Sequence, residues 1–287
     1  MTQTELSLGE TSFIQHCIGP QLQKSKNASI LINGGRYAMN YCTIDNGDPN
    51  SFIDVIVLVT GFGSGWTGIS LLGYELAKLS YQVIMVSLPG YGNSENPPSF
   101  DEHDFLDEAA RLHAWAELAL RGRNVHWVGH SMGAAIITEF AAANSRNVAS
   151  ITLLDPVGFH KRNMLDLGMK FITNGIGHAR NFKGNKKWEL LKKFLPKEKS
   201  PFTLDRIDQR ISEWKRLCKN YAMSSLKKAV KERPVCCIVG MKDSLFEVMG
   251  IDNAKMRPLS GLWHNTTMFG SNITAKAINK FIISLPK

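Results

Sequence analysis

The chain has 287 residues, of which 44% are hydrophobic and 21% are charged, a balance typical of folded globular proteins. This composition excludes a disordered or fibrous chain, and no apolar run approaches the roughly 18 residues of a membrane-spanning helix. The formal net charge of +9 is the unusual feature, and its distribution along the chain is informative.

The cysteines and the first residues both predict a cytoplasmic protein. The number of cysteines is odd, and no CxxC pair or His/Cys spacing typical of a metal site occurs. We therefore expect reduced cysteines in the core, with no metal and no organic cofactor. The segment 1–20 has no basic region followed by an apolar stretch, so it does not resemble a secretion signal.

The positive charge is concentrated in one segment. Residues 156–230 contain 13 Lys and 5 Arg against 6 acidic residues, a net +12, whereas the rest of the chain carries a net −3. A basic block within a slightly acidic chain predicts a patch that binds an anionic partner. The most prominent group of lysines in this block consists of Lys186, Lys187, Lys192 and Lys193.

Short apolar runs alternate with helical patterns along most of the chain. This alternation predicts an α/β fold whose mostly parallel central sheet has helices on both faces. A weaker pair, 29–32 and 37–43, precedes the clear strands and predicts an antiparallel edge joined by a turn at Asn33–Gly35. The clear predicted strands are 55–60, 82–87, 125–128, 149–154 and 235–239.

The predicted helices divide the chain into a core and an insertion. Residues 156–230 contain amphipathic helical patterns and no strand-like run, so we expect a basic helical cap at this point. The core then comprises residues 29–155 and 231–287, after an N-terminal segment of residues 1–28. Within the core the predicted helices are 69–79, 102–120, 132–143 and 273–283.

The strongest local motif is Gly129-His130-Ser131-Met132-Gly133. It lies between an apolar strand and a helix that begins with small residues, which is the arrangement of a nucleophile elbow. Such a turn raises the serine hydroxyl clear of the sheet, and the flanking glycines let strand and helix pass closely. The motif therefore predicts Ser131 as a nucleophile.

Two further motifs complete a resemblance to a known family. The segment Thr60–Gly65 resembles the oxyanion loop of the α/β-hydrolase fold superfamily, with Thr60 where histidine is usual. The segment Ser87–Ser94 resembles the family's Asp-x-Pro-Gly-x-Gly-x-Ser turn, with serine in place of aspartate. Together with the elbow, these motifs identify residues 29–287 as similar to an α/β-hydrolase fold with a helical cap.

The resemblance implies the partners of the serine. His264, before the terminal helix, matches the position of the family's catalytic histidine, whereas His130 is expected to pack because neighbouring side chains in the elbow point apart. Asp243, after the penultimate strand, matches the usual position of the acid. Asp155 remains an alternative, because it also ends a predicted strand.

The resemblance also implies an oxyanion hole built from backbone amides. The N–H groups of Phe62 and Met132 would converge on the developing negative oxygen. The competing use of these glycines is a dinucleotide site, which would require glycine where Trp66 stands.

These residues predict a serine esterase that cleaves carboxylic esters through an acyl-enzyme. The basic cap resembles that of pimeloyl-[acyl-carrier protein] methyl ester esterases, which suggests a carrier-linked methyl ester and an acyl carrier protein as partner. Acylglycerols at an anionic membrane surface, acyl thioesters, and a binding protein without activity are the alternatives. No motif for nucleic-acid recognition accompanies the charge.

Overall fold

The structure is a computed structural model of the full chain. It describes residues 6–32, 35–48, 54–96, 105–143, 147–159, 161, 163–170, 185–200, 203, 207–218, 222–243, 254–262 and 264–286.

An eight-stranded sheet forms the centre of the molecule, in the order β1-β2-β4-β3-β5-β6-β7-β8. The pairs β1–β2 and β2–β4 are antiparallel, and the remaining neighbours are parallel. The predicted fold class is therefore confirmed. The strands are β1 Lys26–Ile32, β2 Gly35–Ile44, β3 Val55–Val59, β4 Gln82–Val86, β5 Val125–His130, β6 Val148–Leu154, β7 Val235–Gly240 and β8 Ala254–Leu259.

The central strands are apolar because both faces of the sheet are covered. Along β3, Val57 and Val59 belong to the core on one face, whereas Ile56 and Leu58 belong to the core on the other. Alternating side chains of a strand point to opposite faces, so a strand buried on both sides has no polar positions.

One strand was missed by the sequence analysis. β8 lies at the edge of the sheet and contains Lys255, Arg257 and Pro258. An edge strand needs hydrogen bonds on one side only, so it tolerates charged residues and proline, and no apolar run marks it. The predicted turn at Asn33–Gly35 falls partly outside the described residues.

Helices cover the two faces. One face carries Phe105–Leu120, Met132–Ala143 and Met223–Glu232, and the other carries Ser70–Ala77 and Ser271–Ile282. The first residues predicted for the 102–120 helix lie outside the described part of the chain. The remaining helical segments are Leu8–Phe13, the π-helix Ile14–Ile18, Gly19–Leu22, the 3₁₀-helix Trp66–Ile69, residues 164–170, Lys186–Leu191, Ile207–Leu217 and Thr266–Phe269.

The N-terminal segment packs on the core. Ile14, Ile18 and Leu22 are completely buried in the apolar cluster on the second face. Glu10 forms ion pairs of 3.0 Å with both Lys78 and Lys187, and these bonds lower the pKa of its carboxyl to about 2. The segment is therefore attached both to the core and to the predicted cap.

Regular structure in the described part of 156–230 is helical. Its last helix, Met223–Glu232, packs beside Met132–Ala143, where Ser225 donates to Glu139 over 2.6 Å. This helix covers the sheet, so the basic segment includes an element that packs in the layer of the core helices. In the described ranges, no helix is long and apolar enough to span a membrane.

Candidate active site

The predicted elbow is present at the carboxyl end of β5. Ser131 has φ of +55°, the left-handed region that an L-residue enters only at a cost of roughly 1–2 kcal/mol. A Cβ at Gly129 would lie 2.5 Å from the Gly133 carbonyl oxygen, and one at Gly133 would lie 2.4 Å from the Thr60 carbonyl oxygen. Glycine is therefore required at both positions, as the sequence analysis expected.

Three predicted side chains meet in a hydrogen-bonded chain. The Ser131 hydroxyl lies 2.9 Å from His264 Nε2, and His264 Nδ1 lies 2.8 Å from Asp243 Oδ2. All three residues are buried. A carboxylate at Nδ1 fixes the tautomer that leaves Nε2 able to accept a proton from the serine.

Asp155 lies next to these three residues, but its hydrogen bonds go to a different set of groups. Its carboxylate accepts the Gly240 N–H at 2.8 Å, the Thr266 N–H at 3.1 Å and the Thr266 hydroxyl at 2.7 Å. These bonds tie the end of β7 to the segment that carries His264. In this geometry Asp243, and not Asp155, orients the imidazole.

His130 also supports the segment that carries His264. Its Nε2 lies 2.9 Å from the backbone carbonyl oxygen of His264, so the ring nitrogen donates to that oxygen. The two imidazole rings lie 5.3 Å apart. His130 therefore holds the backbone of the histidine that contacts the Ser131 hydroxyl.

The environment of Asp155 shifts its titration. Burial raises the pKa of this carboxyl from its ordinary 3.8 to about 7, and the Asp243 charge acts in the same direction, while His264 opposes it. Between pH 3.8 and about 7, the Asp155 carboxyl is therefore protonated in the folded state and ionised in the unfolded chain. Stability is therefore lost as pH rises through this window.

This shift gives a prediction for Asp155→Asn, whose side chain is neutral at every pH. The melting temperature of the variant, relative to that of the native protein, should rise as pH increases from about 4 to about 7. Thermal unfolding across this pH range measures the difference. A difference that stays constant with pH would contradict the assigned shift.

The predicted oxyanion loop lies against the elbow. A Cβ at Gly61 would be 2.8 Å from Ser131 Cβ, so the backbone preceding Phe62 passes directly beside the serine. Met132 is the first residue of the following helix, where N–H groups have no carbonyl partner within the helix. Both predicted amides thus belong to backbone segments next to Ser131.

The predicted lysine cluster is partly neutralised within the chain. Lys187 pairs with Glu75 at 2.9 Å and with Glu10 at 3.0 Å, and Lys192 pairs with Glu189. Lys192 and Lys193 have exposed side chains, whereas Lys186 is half-buried. The four residues therefore do not form a single exposed patch.

No group of three or more His, Cys, Asp or Glu side chains suited to a metal ion occurs among the residues that the structure describes.

Comparison with known proteins agrees with this architecture. Residues 54–210 match the model of the alpha/beta hydrolase fold family, which is more than half of the chain. The chain therefore belongs to the alpha/beta hydrolase fold family.

Among its relatives, the chain is 32% identical over 123 residues to Lipase 3 of Moraxella sp. (strain TA144), covering 42% of this chain and 36% of that protein. It is 33% identical over 106 residues to Lipase 1 of Psychrobacter immobilis, covering 36% and 32% respectively. Monoacylglycerol lipase abhd6-A of Xenopus laevis is 26% identical over 119 residues, covering 41% and 34%. The matched part thus spans about a third of the length of these relatives.

Solved structures share the fold over most of their length. A thioesterase domain from the curacin biosynthetic pathway superposes with a TM-score of 0.65 at 16% identity, covering 89% of this chain and 99% of that domain. A bacterial membrane phospholipase A gives a TM-score of 0.66 at 18% identity, covering 93% and 88%.

Sequence reasoning did not foresee the supporting residues around the site. Thr266 follows the predicted histidine by two positions, and nothing in its immediate sequence indicates a bond to Asp155. Tyr91 lies in a recognised motif, but its partner Glu213 is 122 residues away. Such pairings become visible only once the chain is folded.

Proposed function

We propose that this protein is a serine hydrolase that cleaves carboxylic esters through an acyl-enzyme intermediate. The hydrogen-bonded chain from Ser131 through His264 to Asp243 carries the proposal, because two-step acyl transfer uses a serine hydroxyl, an imidazole and a carboxylate in contact in this order. The elbow and the adjacent glycine-rich loop support it.

In the first step Ser131 Oγ attacks the ester carbonyl carbon while His264 Nε2 takes the hydroxyl proton. The carbonyl oxygen becomes an oxyanion, and the amides of Phe62 and Met132 stabilise it. His264 then gives the proton to the departing alcohol, which leaves an acyl group on Ser131. Asp243 stabilises the imidazolium form of His264 during both transfers.

Water completes the cycle by the same sequence of steps. His264 accepts a proton from water as the water oxygen attacks the acyl carbon, and Ser131 Oγ departs with that proton. No metal or organic cofactor takes part in this scheme.

For the substrate class, we favour an ester with a fatty acyl chain. The curated relatives include two bacterial proteins named lipases and one named monoacylglycerol lipase. A carrier-linked methyl ester, such as that of pimeloyl-acyl carrier protein, rests on the charge of residues 156–230 alone and stays a prediction.

A substrate panel separates these classes. We expect kcat/KM to differ among three kinds of substrate. These are p-nitrophenyl esters, a monoacylglycerol in vesicles and a carrier-linked methyl ester. A preference for the vesicle substrate supports the lipid assignment, and a preference for the carrier substrate supports the alternative. No hydrolysis of any ester by the folded protein would contradict the proposed activity.

The exposed lysines of the cap provide a second proposal, that the cap attracts an anionic surface. Reversing Lys192 and Lys193 to Glu should raise KM about three- to tenfold for monoacylglycerol in anionic vesicles at low salt. Exposed charges act on association and are screened over about 8–10 Å at physiological ionic strength. KM for p-nitrophenyl butyrate should stay unchanged.

Reversing Lys276 and Lys280, which are exposed on the last helix of the core, provides the matched control. Lys187 is left in place because its ion pairs join the cap to the core. Raising the salt concentration should reproduce the effect of the cap reversal. An equal response of both substrates, or no response of either, would show that the cap charge does not recruit substrate.

A further inference from the structure

His264 lies in a connection whose position depends on contacts with other segments. It follows β8 and precedes the short helix Thr266–Phe269, and neither element contains it. A residue outside helix and strand lacks the regular backbone hydrogen bonds that would fix its position. The 2.9 Å contact between His264 Nε2 and the Ser131 hydroxyl nevertheless requires a closely held imidazole. Other side chains must therefore hold this connection against the elbow.

The side chain of His130 makes one of these contacts. Its Nε2 donates to the backbone carbonyl oxygen of His264 at 2.9 Å, since a carbonyl oxygen can only accept. His130 directly precedes Ser131, so one turn of the chain carries both the nucleophile and the donor that holds its base. The His130 side chain is only 13% exposed, and a donor in such a place is costly to leave without its acceptor.

The imidazole of His130 is also confined by the predicted oxyanion loop. A Cβ at Gly61 would lie 3.3 Å from His130 Nδ1 and 2.8 Å from Ser131 Cβ. The loop backbone therefore packs against both residues, and glycine at position 61 leaves the room that they need. The centroid of the His264 ring lies 5.3 Å from that of His130. The elbow, the oxyanion loop and the connection that carries His264 thus meet at His130.

A second anchor holds the same connection two residues further on. Asp155, which directly follows β6, accepts the Thr266 N–H at 3.1 Å and the Thr266 hydroxyl at 2.7 Å. Its Oδ2 also lies 3.9 Å from His130 Nε2, so the two anchors are adjacent. The backbone is therefore held both at His264 itself and at Thr266.

We propose that His130 is a positioning residue that sets the distance from His264 Nε2 to the Ser131 hydroxyl. This inference rests on the proposed hydrolase function. His130 acts through the backbone of His264, while Asp243 orients the imidazole from its Nδ1 side. The bond from His130 therefore contributes to proton transfer in the transition state and much less to binding of the substrate.

The test compares His130→Asn with His130→Gln, two variants that carry the same amide and differ by one methylene group. The glutamine amide nitrogen can reach the position of imidazole Nε2, whereas the asparagine amide ends near the position of Nδ1. We expect kcat for p-nitrophenyl butyrate to fall about 10- to 100-fold for His130→Asn, with KM changed less than about threefold. His130→Gln should keep kcat within about threefold of the native value, because its amide still donates to the His264 carbonyl oxygen.

His126→Asn provides the matched control. His126 lies on the same strand and is buried, and its ring nitrogens lie 2.8 Å from Ser150 Oγ and 3.2 Å from Asp54 Oδ2. This variant should lower the melting temperature about as much as His130→Asn does, but it should keep the native kcat. The comparison separates a positioning role from a general loss of stability.

If His130→Asn fails to fold, His130→Phe removes the donor while keeping a ring, and the same fall in kcat is expected. A donor-lacking variant whose kcat is within about twofold of that of His126→Asn overturns the inference. A His130→Gln variant as slow as His130→Asn, or a change in KM alone, overturns it as well. A native protein that hydrolyses no ester and whose Ser131 resists fluorophosphonate overturns the proposed function itself, and the inference with it.

Discussion

Replacing Ser131 by alanine is expected to lower ester hydrolysis on the order of 10⁴-fold or more, and His264→Ala should have a comparable effect. The two side chains act as one unit, because the hydroxyl attacks only as the imidazole takes its proton. Their 2.9 Å contact is the structural basis for this expectation. The initial rate with p-nitrophenyl butyrate measures the loss, and circular dichroism checks that the fold is retained.

The chain offers a matched control for this experiment. Ser150 Oγ lies 2.8 Å from His126 Nδ1, and His126 Nε2 lies 3.2 Å from Asp54 Oδ2. These residues therefore form a second hydrogen-bonded Ser-His-Asp group, but Ser150 is within β6 and has no elbow around it. Ser150→Ala should keep full activity. Comparable losses at Ser131 and Ser150 would indicate that the observed loss is due to destabilisation.

Asp243→Asn is expected to lower kcat about 10⁴-fold, because an amide can favour the wrong tautomer and cannot stabilise the imidazolium. The 2.8 Å contact between Asp243 and His264 makes this carboxylate the orienting group. Asp155→Asn should cost less than about tenfold in kcat, since Asp155 binds Thr266 and Gly240 and only supports the histidine segment.

Steady-state kinetics of the two asparagine variants, measured at one pH on protein of verified fold, gives the comparison. A severe loss with Asp155→Asn and a mild one with Asp243→Asn would assign the acid to the end of β6 instead. The relative size of the two losses therefore decides between the two carboxylates that the sequence left open.

Much of the fold could be predicted because its signals are local. The central strands are recognisable as apolar runs, since burial on both faces leaves no polar position. The elbow could also be predicted, because its two glycines flank Ser131 at fixed positions in one short motif. Gly129 is required by a close contact within the motif, and Gly133 by the close approach of the Thr60 backbone. His264 and Asp243 were indicated only through the resemblance to a family.

The remaining features depend on contacts between distant parts of the chain. β8 carries Lys255, Arg257 and Pro258, so its pairing with β7 leaves no apolar pattern. The charge of Lys187 appeared available for a partner, but Glu10 and Glu75 neutralise it from other elements. Neither feature can be recognised from neighbouring residues alone.

Mapping the site of fluorophosphonate attachment by peptide mass spectrometry tests whether Ser131 is the nucleophile. We expect the native protein to carry one adduct, on the peptide that contains Ser131, and His264→Ala to react far more slowly. An adduct on a different residue, or a folded native protein that forms no adduct, would contradict the assignment of Ser131 as the nucleophile.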